Sequence, residues 1–143
     1  MRIALFISFC LLYFSCNTTK KTSGLSNKLN GTWIPVKEEI GGTALPATAF
    51  ATQKLIINDS SYTFSAESVD KGVVKYDHEK MDIYGKEGVN AGKHFTAIYK
   101  FVPDSLKKGQ QLAICYNLAG NSYPETFDTK GQQTLFLSVF RKE

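Results

Sequence analysis

The chain contains few cysteines, and their positions exclude an intramolecular disulfide in its larger, C-terminal part. Only three are present, at positions 10, 16 and 115. Cys10 lies within an apolar N-terminal run and Cys16 directly follows that run, so Cys115 stands alone in the remaining sequence. That part of the chain must therefore depend on a hydrophobic core for its stability. Cys115 sits in a strand-like apolar run with no histidine near it in sequence, which favours a buried, inert thiol over a nucleophile.

The sequence also lacks the motifs of common enzymes. It has no Gly-x-Ser-x-Gly elbow, no glycine-rich phosphate loop and only two histidines, His78 and His94. The densest set of possible metal ligands surrounds His78, in Asp77–Lys80 with Asp82 nearby, but this is a polar bend of the kind that is ordinarily solvated. A metal site needs ligands from at least two elements, and no second element can be named. We therefore predict no catalytic residues, no metal and no other cofactor.

Strong charge of either sign is missing as well. The chain has 17 lysines and arginines against 13 acidic residues, a formal net charge of +4. The lysines are scattered among the acids, so the sequence has neither a nucleic-acid-binding stripe nor a polybasic membrane patch. Aromatic residues, in contrast, are abundant. They make up 13% of the chain, which is typical of a β-rich protein whose sheets carry many aromatic side chains.

The N-terminus has the pattern of a secretory signal that ends at a cysteine. Met1-Arg2 precede an apolar run over Ile3–Phe14, and Ser15 precedes Cys16. The run is shorter than the roughly 20 residues that a membrane-spanning helix needs. We predict a bacterial lipoprotein signal peptide over residues 1–15, with Cys16 carrying palmitate-type acyl chains. An ordinary signal peptide and an uncleaved anchor are the alternatives.

The lipoprotein interpretation divides the chain into three parts. The signal peptide is followed by a polar, flexible tether over residues 16–28 and by one domain over residues 29–143. It places the protein in the bacterial cell envelope, attached to a membrane through its N-terminal lipid, with the membrane face left open. No nucleic-acid partner is expected.

Short runs rich in β-formers alternate with turn signals from residue 29 onward, without a long amphipathic helix. Such spacing predicts an all-β sandwich or up-and-down barrel of about eight strands. The predicted strands are Thr32–Ile40, Gln53–Ile57, Tyr62–Ala66, Val73–Tyr76, Met81–Tyr84, His94–Phe101, Gln111–Leu118 and Thr134–Arg141.

The last predicted strand is apolar on both faces, so its outer face needs cover as well. Leu135, Leu137 and Val139 alternate there with Phe136, Ser138 and Phe140. If Phe136 and Phe140 face outward, they contribute to an apolar patch that a partner protein or a small helix covers.

A series of short motifs recurs in a fixed order along the chain. Gly31-Thr32-Trp33 resembles the Gly-x-Trp with which lipocalins open their first strand. It is followed by Thr43-Ala44-Leu45-Pro46, Tyr62-Thr63-Phe64, Asp70-Lys71-Gly72, Met81-Asp82-Ile83, Ala97-Ile98-Tyr99-Lys100, Leu112-Ala113-Ile114-Cys115-Tyr116 and Pro124-Glu125-Thr126-Phe127. Together these motifs resemble a bacterial, planctomycete-type family of uncharacterised lipocalin-like proteins.

The resemblance covers residues 31–141 and implies a lipocalin-like antiparallel up-and-down β-barrel of about eight strands, with Trp33 packed across its closed end. It brings no established activity. The sequence departs from the family at Ala97, where glycine is usual, and at Tyr123, where arginine usually precedes the proline.

Two functions suit such a barrel. In the first, inward aromatic side chains line a cavity for a small apolar or amphipathic ligand. The candidate ligand-binding residues are Trp33, Tyr62, Phe64, Tyr76, Phe95, Tyr99 and Tyr116. In the alternative, these rings fill the core and the protein is a non-catalytic envelope interaction module. A cavity lined by Tyr and Phe and open at one end would favour the first.

Overall fold

The structure, a computed structural model, describes residues 28–143 and is almost entirely β-sheet. The strands are β1 (Gly31–Ile40), β2 (Thr43–Ala44), β3 (Lys54–Asn58), β4 (Ser61–Ser65), β5 (Val69–Asp77), β6 (Lys80–Glu87), β7 (His94–Pro103), β8 (Gln110–Asn117) and β9 (Leu135–Lys142), with a 3-10 turn at Ala47–Ala49. The signal peptide, Cys16 and all but the last residue of the tether predicted from the sequence lie outside the described residues.

The strands form a closed, antiparallel, up-and-down barrel of the lipocalin-like type. Each of β3 to β8 pairs with the next strand in sequence, β1 pairs with β3, and β9 pairs back with β1 to close the ring. The short β2 pairs only with the end of β1, so eight strands make the barrel. The predicted all-β barrel of about eight strands is confirmed, and of the two architectures that strand spacing left open the sandwich is excluded.

The connections define the two ends of the barrel. The turns at residues 59–60, 78–79 and 104–109 lie at the end where β1 begins, which we call the closed end. The connections at residues 66–68, 88–93 and 118–134 lie at the opposite end, which we call the mouth. Neighbouring strands run in opposite directions, so this assignment follows from strand order alone.

The closed end is plugged by residues from the start of the described chain. Leu29 is fully buried and Trp33 is 2% exposed. The Trp33 indole N–H donates a hydrogen bond of 2.7 Å to the Leu29 carbonyl, and the ring lies 6.3 Å from that of Phe101. The Gly-x-Trp segment thus packs where the lipocalin resemblance placed it.

Strand β5 is longer than the sequence predicts, because it begins at Val69 and the predicted strand begins at Val73. Glycine is uncommon inside strands, but Gly72 lies within the sheet, paired with Tyr62 and Gly85. A side chain at position 72 would collide with the Tyr84 carbonyl oxygen and the Tyr62 ring. The glycine therefore permits close packing inside the barrel instead of ending a strand.

The outer face of β8 and β9 is covered by the long β8–β9 connection. Cys115, Leu135 and Leu137 form a second apolar cluster there, against which Phe127 of the connection packs. Phe136 and Phe140 do not face outward, so they form no outer patch: both line the barrel interior. Alternation along β9 puts the leucines outside, and a loop provides the cover that the doubly apolar strand requires.

Candidate functional site

The barrel interior is not completely filled. A cavity of about 210 Å³ lies between the core and the mouth. Its lining reaches Asn90 in the β6–β7 connection and the partly exposed Leu118 just after β8, both at the mouth. The walls are mostly apolar and aromatic, with Leu55, Ile57, Val74, Met81, Ile83 and Ile114 among them.

Five of the seven aromatic residues predicted from the sequence line this cavity. They are Tyr62, Phe64, Tyr76, Phe95 and Tyr116. Trp33 and Tyr99 do not, since Trp33 packs at the closed end and the Tyr99 hydroxyl donates a 2.8 Å hydrogen bond to the His78 carbonyl in the β5–β6 turn. The Tyr99 hydroxyl is therefore bonded within the protein.

Tyr99 and Tyr116 both point into the barrel, as alternation along their strands predicts. Tyr99 pairs with Ile114, and Tyr116 pairs with Ala97, so the two tyrosines are diagonal neighbours. Tyr99 lies towards the closed end, whereas Tyr116 stacks on Phe136 at 5.8 Å towards the mouth. Only the second of the two tyrosines borders the space that a ligand would occupy.

Sequence reasoning missed the most unusual residue of the cavity, Glu38. It is 2% exposed and lines the cavity, and its carboxylate accepts a 3.3 Å hydrogen bond from the Ser138 hydroxyl. Its inward position follows from a β-bulge in β1. Pro35 pairs with Phe140 and Lys37 with Val139, so one extra residue, Val36, shifts the alternation. Burial raises the pKa of the Glu38 carboxyl above its ordinary value.

A second acid, Asp70, lines the cavity from β5 and is 4% exposed. Its Oδ1 accepts a 2.9 Å hydrogen bond from the backbone N–H of Asn90. Gly88, with a φ of +87°, lies so close to Asp70 that a side chain at position 88 would collide with its carboxylate. Asp70 therefore holds the β6–β7 connection against the rim of the cavity.

The tyrosine hydroxyls of the cavity are neutral hydrogen-bonding groups. Burial raises the pKa of Tyr62 and Tyr116, and it raises that of Tyr76 to about 12. The Tyr76 hydroxyl is buried and has no hydrogen-bond partner within residues 28–143. A buried phenol normally has such a partner, so the Tyr76 hydroxyl is an unsatisfied polar group in the barrel interior.

The histidines and Cys115 lie outside the cavity. On the outer wall His94 Nε2 is 2.8 Å from Asp82 Oδ1, and the Tyr123 hydroxyl donates a 2.6 Å hydrogen bond to Asp82 Oδ2. This contact fastens the β8–β9 connection to β6 and β7, and the bond to Asp82 raises the pKa of Tyr123 to about 12. Cys115 is fully buried beneath that connection, and burial raises its pKa to about 11, so its thiol stays protonated.

The polar bend considered as a source of metal ligands is the β5–β6 turn at the closed end. His78 and Asp77 are in contact at 2.8 Å, with their side chains 93% and 82% exposed. Nowhere in residues 28–143 do three or more His, Cys, Asp or Glu side chains come together in a way that could hold a metal ion.

Comparisons of the chain with protein-family models, with curated proteins and with solved structures found no match. The described part of the chain also has no helix that is long and apolar enough to cross a membrane.

Proposed function

We propose that the protein is an envelope lipoprotein whose barrel binds a small apolar or amphipathic molecule. The cavity carries the proposal: about 210 Å³ of space with apolar and aromatic walls and a few polar groups is the usual composition of a small-molecule site. An apolar cavity of about 150 Å³ accommodates a benzene ring. The guest is therefore small, a single ring or a short chain with a polar group.

Three of the five exposed large apolar side chains in the described part of the chain support entry at the mouth; the other two are Ile56 on the outer wall and Leu106 in the closed-end turn. Val69, Val89 and Leu118 are 50%, 66% and 42% exposed. All three lie at the mouth, at the start of β5, in the β6–β7 connection and just after β8. An apolar rim at this end would receive an apolar guest before it enters the cavity.

The alternative, an interaction module with a filled barrel, has less support. The outer surface of β8 and β9, the one docking patch that the sequence suggested, is instead partly packed beneath the β8–β9 connection. The interior also retains space. We therefore favour ligand binding.

Filling the cavity tests ligand binding. Val74→Phe would project a ring into the cavity, whereas Val73→Phe would add the same ring to the outer face of the same strand. We expect native mass spectrometry of the wild-type protein to show a retained small molecule, which Val74→Phe abolishes and Val73→Phe preserves. Overpacking by Val74→Phe should lower the free energy of unfolding by about 1–3 kcal/mol. An empty wild-type protein that binds no apolar probe would contradict the proposal.

Replacing the acylation site tests membrane attachment. Cys16→Ser removes the thiol that would carry the lipid, so the protein should leave the membrane fraction or remain unprocessed. The measurement is fractionation of cells with immunodetection, and Cys115→Ser, which changes a thiol within the barrel domain, is the control. Membrane retention of Cys16→Ser with normal signal cleavage would exclude the lipoprotein assignment.

A further inference from the structure

We propose that the cavity selects guests with a protonated amine, which Glu38 binds, over neutral or acidic guests of the same size. This inference rests on the proposed function and specifies its ligand class. Its first basis is the charge of the walls. The residues that line the cavity include two carboxylic acids, Glu38 and Asp70, and no lysine, arginine or histidine.

The two acids differ in the groups that offset their negative charge. Asp70 accepts a backbone N–H and lies against the β6–β7 connection. Glu38 has only the long hydrogen bond from Ser138, a neutral donor, and no lysine, arginine or histidine forms an ion pair with it within residues 28–143. A buried carboxylate without a counter-charge is costly. A cationic guest would provide both the missing charge and hydrogen-bond donors.

The surrounding side chains suit an organic ammonium group. Tyr62, Tyr76 and Tyr116 contribute aromatic rings to the cavity wall, and aromatic rings attract organic cations. A bare metal ion such as Ca²⁺ would require about six or more oxygen ligands, which these largely apolar walls do not provide. A carboxylate guest would meet two acids and no base. The cavity is therefore complementary to an ammonium group on a small apolar body.

Three probes separate charge from shape, of which the amine and the hydrocarbon are equal in size. 2-Phenylethylamine, propylbenzene and 3-phenylpropanoate share a phenyl ring and differ in the group at the end of the chain. We expect the wild-type protein to bind the amine roughly 10- to 100-fold more tightly than propylbenzene, the range that a hydrogen bond to a charged group provides. The acid should bind most weakly. Dissociation constants at neutral pH and physiological salt are measured by calorimetry or native mass spectrometry.

Variants of two glutamates localise the effect. Glu38→Gln keeps the shape but removes the charge, so the amine should lose its advantage over propylbenzene. Glu67→Gln makes the same change in net charge on an exposed residue at the mouth, so the amine should keep its advantage over propylbenzene in this variant. Equal binding of all three probes, or a preference that survives Glu38→Gln, would overturn the amine inference and leave ligand binding standing. Failure of every probe to bind, together with an empty protein as purified, would overturn both.

Discussion

Trp33→Ala should be among the most destabilising single changes in the barrel, with a loss of about 3–5 kcal/mol in the free energy of unfolding. The ring is 2% exposed, packs beside Phe101 and donates to the carbonyl of the fully buried Leu29. Truncation opens a void at the closed end and leaves that carbonyl without its donor. We expect the melting temperature to fall by roughly 10 °C or more.

Because Trp33 is the sole tryptophan, unfolding of the variant is followed by circular dichroism instead of fluorescence. Trp33→Phe is the graded control. It keeps most of the packing and removes the N–H donor, so it should cost about 1–3 kcal/mol for the unsatisfied carbonyl. A Trp33→Ala protein that melts within a degree or two of wild type would mean that the Gly-x-Trp segment does not close the barrel.

The barrel itself was predictable because its most regular strands alternate cleanly. Along β7 and β8, Phe95, Tyr99, Ile114 and Tyr116 fall on the inward face as the two-residue period requires. The limit of that reasoning appears in β9, where both faces are apolar. Periodicity alone could not decide which face pointed inward, and the answer depends on a loop from residue 118 to 134 whose packing is not local in sequence.

The candidate site was predictable only in its aromatic part. Strict alternation from Trp33 would place Lys37 and Glu39 inside the barrel, two adjacent inward charges on one strand. That conflict is itself a signal of a bulge, because one extra residue moves Glu38 inward instead. Alternation also puts Asp70 inside if β5 starts at Val69. The predicted strand, however, starts at Val73, after Gly72, and so does not include Asp70. The two acids that give the cavity its charge were therefore missed for reasons of backbone geometry.

Phe140→Ala should have a comparable effect on stability and an additional effect on binding. Phe140 is 1% exposed on β9, pairs with Leu112 and Pro35 on the neighbouring strands, and forms part of the cavity wall. Truncation of a buried phenylalanine costs about 3–5 kcal/mol, since the surroundings collapse only partly into the space. Chemical denaturation with circular dichroism measures the loss. Because the new space adjoins the cavity, the variant should also accept longer guests, such as hexylbenzene, that the wild-type protein binds poorly.

Phe136→Ala is the matched control for both effects. Phe136 lies on the same strand and the same face, but it is only half-buried at the mouth, where it stacks on Tyr116. Its truncation should cost about 1–2 kcal/mol, from the lost ring pair and modest burial. It should change the preference for guest length less than Phe140→Ala does, because the space it vacates is already accessible to solvent. Equal losses of stability in the two variants would show that Phe140 contributes no more to the packing of the core than Phe136 does.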